Sequence, residues 1–225
     1  MKVAIIFGGP YRGNPINMEN HLKNIGNYDT YVSCLGHYKD DWIKSEWPIK
    51  RIFNTPPISF KETNWAKYRD DSAGQSGFWQ FWNLKNVINN IEEDYDWYIK
   101  SRCDLDFSNG CLGENFFSVL EANTLYCPIH YFDGSGWDIL HLLNDQFYIG
   151  DLNTMNVISK FVTKYYNNNR HDINASTASN ERNLRIWLNE NNINIKVIQD
   201  LNYKKNHNGF NSVTGGYGSY QLEQI

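Results

Sequence analysis

A chain of 225 residues, 41% of them hydrophobic, is long enough and apolar enough to bury a core, which excludes a disordered protein. A formal net charge of −4 removes DNA and RNA from the expected partners, because nucleic-acid binding needs a basic surface. No apolar stretch is long enough to span a bilayer, and the four cysteines lack CxxC spacing, so we expect a cytoplasmic protein with reduced thiols and no transmembrane segment.

The N-terminal part of the chain is predicted to consist of strands joined by helices. The apolar run 3–7, which glycines end, is typical of a buried strand in a parallel sheet. A helix is expected at 16–24, and further strands are expected at 29–35 and 49–53. Residues 54–77, with two adjacent prolines and two glycines, are predicted to be mostly loop.

The clearest helix in the sequence covers 78–92. Its apolar residues recur every three or four positions and form one stripe, made of Phe78, Phe81, Leu84, Ile88 and Ile91. A strand at 97–103 follows the helix, and the carboxylates of Asp104 and Asp106 come directly after that strand.

The remainder of the chain continues the alternation of helices and strands. We expect short helix at 115–122, strand at 124–129, strand or turn at 144–150, helices at 155–166 and 179–191, and strand at 193–198. The tail 201–225 is rich in Asn, Gly and Tyr and is predicted to be a loop over a site, or partly disordered. The pattern indicates an α/β protein with a mostly parallel sheet and helices on both faces.

The segment Asp104-Leu105-Asp106 is the first candidate for chemistry. In an extended segment, alternate side chains point to the same side, so the two carboxylates repel each other unless a cation lies between them. Mg²⁺ or Mn²⁺ prefers such oxygen ligands, and open α/β sheets bind ligands at the carboxyl ends of their strands. A solvated acidic turn explains the same residues, so both interpretations stay open on these residues alone.

The surroundings of this segment carry a family resemblance. The run YDWYIKSRCDLDF at 95–107 fits the pattern YD-x-x-I-x-x-R-x-D-x-x-F, although Cys103 stands where proline is frequent. Downstream, NDQFYIG at 144–150 and the helix from Asn180 to Leu188 fit two further blocks, with Asn180 in place of a usual proline. In these blocks the chain resembles GT-A-fold glycosyltransferases of bacterial surface-polysaccharide and viral glycan pathways.

The resemblance implies a GT-A-like fold and a division of the chain. Residues 1–107 would form the nucleotide-sugar-binding half, and residues 108–225 would form the acceptor half with its tail. It also implies a donor-binding set after the first strand and before the acidic segment, made of Phe7, Gly8, Gly9, Arg12 and Arg102. For Arg102 a structural salt bridge, and for Arg12 a plain surface charge, remain open alternatives.

The resemblance further implies a metal and a base. Asp104 and Asp106 would hold Mn²⁺ or Mg²⁺ against the donor diphosphate, with His207 as a further ligand. Asp145 would be the general base that takes the acceptor proton, and a helix-cap or turn role is its alternative. Residues with weaker claims to metal, acceptor or stacking contacts are His130, His141, Glu181 and Trp137.

The predicted function is transfer of a sugar from a nucleoside-diphosphate sugar to a glycan or lipid-linked acceptor, as in polysaccharide biosynthesis. Two alternatives remain. A non-catalytic sugar-binding module would also use the many aromatic residues, since aromatics make up 16% of the chain. A sugar-phosphate nucleotidyltransferase would also use paired carboxylates and a metal, but its usual basic glycine-rich loop is only partly matched by Gly8-Gly9-Pro10-Tyr11-Arg12.

Overall fold

Strands and helices alternate along the chain in a computed structural model, which describes residues 1–56, 58, 72–107, 112–128, 146–164, 180–198, 201, 203–207, 210–213 and 222–224. The strands of this described part are β1 (Val3–Gly8), β2 (Asp29–Cys34), β3 (Ile49–Asn54), β4 (Trp97–Lys100), β5 (Leu105–Phe107), β6 (Thr124–Pro128), β7 (Tyr148–Gly150), β8 (Asn194–Ile198), β9 (Tyr203–His207), β10 (Phe210–Val213) and β11 (Leu222–Gln224).

Six α-helices lie in the described residues: α1 (Pro15–Asn24), α2 (Lys39–Lys44), α3 (Ser72–Asn90), α4 (Glu114–Phe117), α5 (Leu152–Lys164) and α6 (Asn180–Glu190). Helix α1 begins where its sequence dictates. Asn14 and Asn17 form a reciprocal capping box, and Pro15 occupies the first turn, where its missing N–H costs nothing.

Among the described residues, no helix combines the length and the apolar character needed to cross a membrane.

The described strands form one large sheet in the order β11-β8-β6-β7-β4-β1-β2-β3. Strands β4, β1, β2 and β3 pair in parallel, and β6 pairs with β8 in parallel. Strand β7 lies antiparallel between β4 and β6, and β11 is antiparallel to β8. The expected α/β class with a mostly parallel sheet is therefore confirmed, with β7 as an antiparallel insertion near the centre.

Apolar side chains cover both faces of the sheet, so most residues of its central strands are apolar. On β1, Ala4 and Ile6 join a cluster that includes α3, α5 and α6. Val3, Ile5 and Phe7 join a second cluster on the other face, together with residues such as Trp42. The apolar residues predicted to form a stripe on the helix at 78–92 pack into the core, but the helix runs from Ser72 to Asn90, so Ile91 lies just beyond its end.

A smaller sheet has the order β10-β9-β5. Strand β9 pairs with β5 antiparallel, with Lys204 opposite Asp106 and Lys205 opposite Leu105. The expectation that the tail 201–225 is loop or disorder is therefore wrong for three of its segments, which form β9, β10 and β11. The polar composition of these segments hides their strand character, and the pairings of β9 with β5 and of β11 with β8 join residues that are distant in the sequence.

Three further expectations need correction. The strand predicted at 97–103 ends at Lys100, because the chain turns at Cys103 and Asp104 before β5 starts at Leu105. The helix predicted at 115–122 is only the single turn α4. Within the loop predicted at 54–77, residues 72–77 belong to α3 instead, and residues 57 and 59–71 lie outside the described part of the chain.

Candidate functional site

A pocket of about 470 Å³ opens at the carboxyl ends of β1 and β4, on the side that α3 covers. Because these two strands are parallel neighbours, the loops that follow them meet at the same edge of the sheet. The pocket is lined by Ile6, Gly8, Gly9, Pro10, Arg12, Leu35, Tyr38, Trp79, Gln80, Asn83, Leu84, Lys100, Ser101, Arg102, Cys103 and Asp104.

The glycine pair Gly8-Gly9, at the end of β1, shapes one wall of this pocket. A Cβ atom at Gly8 would lie 2.8 Å from the Cβ of Asn83, so glycine lets α3 approach the strand end closely. Gly9 has φ +88°, a left-handed conformation that favours glycine. The Gly9 N–H donates to the Ser33 carbonyl at 2.8 Å, and its carbonyl accepts from the Trp42 indole at 2.9 Å. This part of the loop is therefore firmly held.

The following residues join this loop to the acidic segment. The backbone N–H of Arg12 donates to the Cys103 Sγ at 3.3 Å. A Cβ atom at Gly13 would lie 2.5 Å from the Cys103 carbonyl oxygen, so only glycine allows this contact. Burial raises the pKa of the Cys103 thiol to about 11, so the sulfur is a neutral acceptor at pH 7. The loop after β1 and the turn before β5 form one unit.

Arg102 and Asp104 form a two-pronged ion pair at the pocket wall. The Arg102 Nε donates to Asp104 Oδ1 at 2.8 Å, and Nη2 donates to Oδ2 at 2.6 Å. The Asp104 side chain is 1% exposed, whereas the Arg102 side chain is 20% exposed. Both oxygens of a buried carboxylate are thus engaged by one guanidinium, the geometry in which arginine binds carboxylates most strongly.

Asp106 lies on β5, and its carboxylate accepts a hydrogen bond from helix α1. The amide nitrogen of Asn20, on α1, donates to Asp106 Oδ1 at 2.6 Å. The expectation that Asp104 and Asp106 belong to one extended segment is wrong, because Asp104 lies in a turn and only Asp106 lies in the strand. Asp104 lines the pocket, and Asp106 is not among the residues that line it.

Several pocket residues were not predicted from the sequence. Lys100 ends β4 with only 4% of its side chain exposed, and its Nζ lies 5.3 Å from the centre of the Tyr148 ring. A lysine at the end of a buried apolar strand is a signal that could have marked it. The neighbouring Ser101 Oγ lies 3.1 Å from the His21 Nε2, which links the pocket to α1.

Helix α3 supplies a polar face to the pocket and to the sheet below it. Asn83 accepts hydrogen bonds from the hydroxyls of Ser33 and Thr55, and donates to the Trp79 carbonyl at 2.8 Å. Gln80 lines the pocket, and its buried Nε2 has no acceptor among the described residues. The spacing of Trp79, Gln80, Asn83 and Leu84 along one helix face could have identified this wall.

Two residues of the sequence motif lie at the other end of β4, away from the pocket. Asp96 accepts the Lys2 backbone N–H at 2.7 Å. The Tyr95 hydroxyl donates to Asp29 at 2.8 Å, and Lys50 bridges Asp29 and Glu93. Burial is the main cause that raises the pKa of Tyr95, so this hydroxyl stays protonated. These two motif residues therefore link the start of β4 to the starts of β1 and β2 by hydrogen bonds.

The remaining predicted site residues are distributed as follows. Gly8, Gly9, Arg12 and Arg102 line the same pocket as Asp104. Phe7 is fully buried and packs against the rings of Trp42, Trp47 and His21. His207 ends β9, next to the strand that carries Asp106. Glu181 lies in α6. Asp145, His130, His141 and Trp137 lie outside the described residues.

Comparison with known proteins supports the fold. Galactosyltransferase LgtC in complex with donor and acceptor sugar analogs matches with a TM-score of 0.50 and 10% identity, over 84% of this chain and 70% of that chain. At this identity the match is one of fold, and it confirms the expected GT-A-like fold.

Two further structures match with TM-scores below 0.5. Apo-form glycosyltransferase GlyE of Streptococcus pneumoniae TIGR4 matches with a TM-score of 0.49 and 14% identity over 84% of this chain, which spans only 44% of GlyE. CMP:2-keto-3-deoxy-manno-octonic acid synthetase with CTP matches with a TM-score of 0.45 and 12% identity, over 88% of this chain and 89% of that one. No protein-family model and no curated protein matches the chain.

Proposed function

We propose that the chain is a metal-dependent glycosyltransferase, which moves a sugar from a nucleoside-diphosphate sugar to a glycan or related acceptor. The observation that carries the proposal is the pocket that gathers Arg12, Lys100, Arg102 and the buried Asp104 at the carboxyl ends of parallel strands. Its volume of about 470 Å³ falls in the range of small-ligand sites, roughly 300–1,000 Å³. The LgtC-like fold is consistent with this assignment.

The three cationic side chains suit an anionic donor. A diphosphate carries its charge on oxygens, which guanidinium and ammonium groups recognise by charge-assisted hydrogen bonds. Lys100 is deeply buried, so its charge acts where water screens it little. In an acidic protein with a net charge of −4, this local cluster of cations supports binding of an anion.

The residues that would hold the divalent cation are Asp104 and Asp106, with His207 on the neighbouring strand as a further candidate. Carboxylate oxygens are the donors that Mn²⁺ and Mg²⁺ prefer, so the chemistry of the set fits. Among the described residues no three His, Cys, Asp or Glu side chains gather, so the proposed set is completed from outside them or by the donor. A bound cation would supply Lewis-acid stabilisation of the leaving diphosphate.

The apolar part of the donor is assigned to the wall of the pocket formed by Trp79, Tyr38 and Leu35. Aromatic rings stack on a nucleobase or on the apolar face of a sugar. The Gln80 amide nitrogen, which has no acceptor within the described part of the chain, is proposed to donate to an oxygen of the bound donor. A buried donor without an acceptor is costly, and a ligand oxygen removes that cost.

Proton transfer is assigned to Asp145, which lies outside the described residues. In an inverting transfer, the acceptor hydroxyl gives its proton to this carboxylate while its oxygen bonds to the anomeric carbon. The bond between that carbon and the diphosphate oxygen breaks, and the nucleoside diphosphate leaves with the electron pair. The acceptor is a glycan or a lipid-linked sugar in this proposal.

A nucleotide-sugar panel with Mn²⁺ tests the proposal, scored by sugar transfer or hydrolysis and by thermal stabilisation. We expect one nucleoside diphosphate to raise the melting temperature and its sugar to be consumed. Asp104→Asn should lower activity by about a hundred-fold or more, since several kcal/mol of charge stabilisation are lost. Asp40→Asn, an exposed carboxylate in α2, is the matched control and should keep full activity.

Other outcomes of the same panel identify the alternatives. Stabilisation by free sugars with no nucleotide effect would favour a sugar-binding module. Pyrophosphate released from a nucleoside triphosphate and a sugar phosphate would indicate a nucleotidyltransferase. Full activity of Asp104→Asn, or full activity in excess EDTA, would overturn the proposed metal role.

A further inference from the structure

The ion pair between Arg102 and Asp104 raises a question about the proposed metal site. Both carboxylate oxygens of Asp104 accept from the same guanidinium, at 2.8 and 2.6 Å. A divalent cation on those oxygens would lie within a few ångströms of the guanidinium charge. At such distances, in a buried site, repulsion between like charges is strong because little water screens it. The pair and a bound cation therefore compete for Asp104.

We propose that Arg102 is the resident counter-ion of Asp104, which occupies the carboxylate in the absence of metal and yields it when a divalent cation and the donor bind. The inference rests on the proposed function. A carboxylate that is 1% exposed cannot stay charged without a partner at acceptable cost. Among the described residues Arg102 engages both oxygens of this carboxylate, and on release it donates to the donor's phosphate oxygens.

The surroundings of the pair show which partner can move. Asp104 follows Cys103, whose Sγ accepts the Arg12 N–H and whose carbonyl oxygen lies against Gly13, so the turn is fixed on the loop after β1. Arg102 lines the pocket and its side chain is 20% exposed, with space in front of it. Rotation of the long Arg102 side chain is therefore enough for the exchange, and the backbone stays in place.

This arrangement predicts coupling between metal and nucleotide. In the nucleotide-free protein, cation binding must break the Arg102–Asp104 pair while no phosphate oxygen accepts from the released guanidinium. When a diphosphate is present, its oxygens accept from the released guanidinium, so the same break is compensated. Each ligand should then raise the affinity of the other by the same factor, as linkage requires.

The test measures Mn²⁺ affinity directly, by the electron paramagnetic resonance signal of free Mn²⁺ in titrations of the whole protein. Arg102→Gln removes the competitor, so we expect it to bind Mn²⁺ about tenfold tighter than wild type without nucleotide, roughly 1.4 kcal/mol by the affinity relation. Adding the nucleoside diphosphate that stabilises the protein should tighten Mn²⁺ binding in wild type and have a smaller effect in Arg102→Gln.

Two further variants keep the test interpretable. Arg12→Gln removes one positive charge from the same pocket, but its contact with Cys103 is through the backbone N–H, so it reports the general charge effect alone. Arg102→Lys keeps the charge, although an ammonium cannot bind both oxygens in a planar fork, and it serves if Arg102→Gln is poorly folded. It should bind Mn²⁺ with an affinity between those of wild type and Arg102→Gln.

The outcomes separate this inference from the proposed function. Mn²⁺ affinity of Arg102→Gln that equals or falls below that of wild type or Arg12→Gln, with binding still lost in Asp104→Asn, overturns the counter-ion role and leaves the metal site standing. Absence of Mn²⁺ binding in every variant, with and without nucleotide, overturns both.

Discussion

At the scale of single residues, His21 is the most unusual titratable group near the pocket. It is fully buried between the rings of Phe7, Trp47 and Phe107, and its Nε2 lies 3.1 Å from the Ser101 hydroxyl. Burial disfavours the charged imidazolium and lowers the pKa of His21 from 6.5 to about 3. The ring is therefore neutral at pH 7 and connects α1 to the segment that carries the pocket lysine.

This depressed pKa predicts a loss of stability in mild acid. Between about pH 6.5 and 3 the unfolded chain binds a proton at His21 and the folded chain does not, so the free energy of unfolding falls as the pH falls. The slope from one group reaches at most about 1.4 kcal/mol per pH unit. In urea unfolding between pH 7 and 5, His21→Gln should show a flatter pH dependence than wild type.

The exposed His37 provides the control for this measurement. His37→Gln should leave the pH dependence unchanged. Equal pH slopes for wild type and His21→Gln would mean that folding does not lower the pKa of His21.

The sequence predicts which residues line the pocket better than it predicts which of their side chains pair with each other. The family resemblance implies a site at Gly8, Gly9, Arg12 and Asp104, and these four residues line one cavity. For Arg102 the sequence left phosphate contact and structural salt bridge open, since the choice depends on a side-chain rotamer. For Lys100 the sequence carries a signal, a lysine at the end of an apolar strand, but which pocket it lines depends on the strands beside β4.

At the scale of elements, the contact between the loop after β1 and the turn before β5 decides the shape of the site. The backbone of Gly13 can lie against the Cys103 carbonyl oxygen only because glycine has no Cβ atom. Gly13→Ala should push the loop off the turn, and we expect a loss of about 1–3 kcal/mol in the free energy of unfolding, as for other overpacking substitutions. Weaker nucleotide stabilisation should accompany it in the same thermal-shift assay.

Gly36→Ala is the matched control, because a Cβ atom at Gly36 meets nothing within 4 Å and its φ is not in the left-handed region. It should change stability by less than about 0.5 kcal/mol. If Gly13→Ala behaves like Gly36→Ala, the loop is free to shift and the close contact has no energetic role.

Local patterns predicted the elements that local interactions determine. Helix α1 has a cap, a proline in its first turn and basic residues in its last turn, and its predicted and observed limits agree within one residue. Strands β9 and β10 have polar sequences that do not predict strands. They are ordered because β9 pairs with β10 on one side and with β5 on the other. The sequence also does not predict that β4 ends at Lys100, because this limit depends on where the chain turns toward the small sheet.

At the scale of the whole molecule, one sheet joins the two halves predicted from the resemblance. Strand β7, from the second half, pairs with β4 from the first. Across the same boundary, Phe81 of α3 packs on Phe161 of α5 with ring centres 4.9 Å apart. The halves 1–107 and 108–225 therefore share a sheet and a core in the described residues.

A shared core predicts one cooperative unfolding transition. In urea, tryptophan fluorescence and far-ultraviolet circular dichroism should give the same midpoint. The fluorescence reports chiefly on residues 1–107, which contain the tryptophans Trp42, Trp47, Trp65, Trp79, Trp82 and Trp97, whereas the dichroism reports on all helices and strands. Two separated midpoints would instead show that the halves are independent folding units.

The pairing of β5 with β9 also has a consequence for biosynthesis. Strand β5 bears Asp106, and its strand partner in the described residues is made only when the ribosome reaches Tyr203–His207. N-terminal segments leave the ribosome first, and closing a long loop costs entropy that the pairing must recover. A nascent chain can therefore form the parallel strands β1 to β4 while β5 still has an open edge. Strand β5, which carries Asp106, therefore pairs with β9 late in synthesis. A translational pause before β9 leaves the unpaired edge of β5 exposed to other chains.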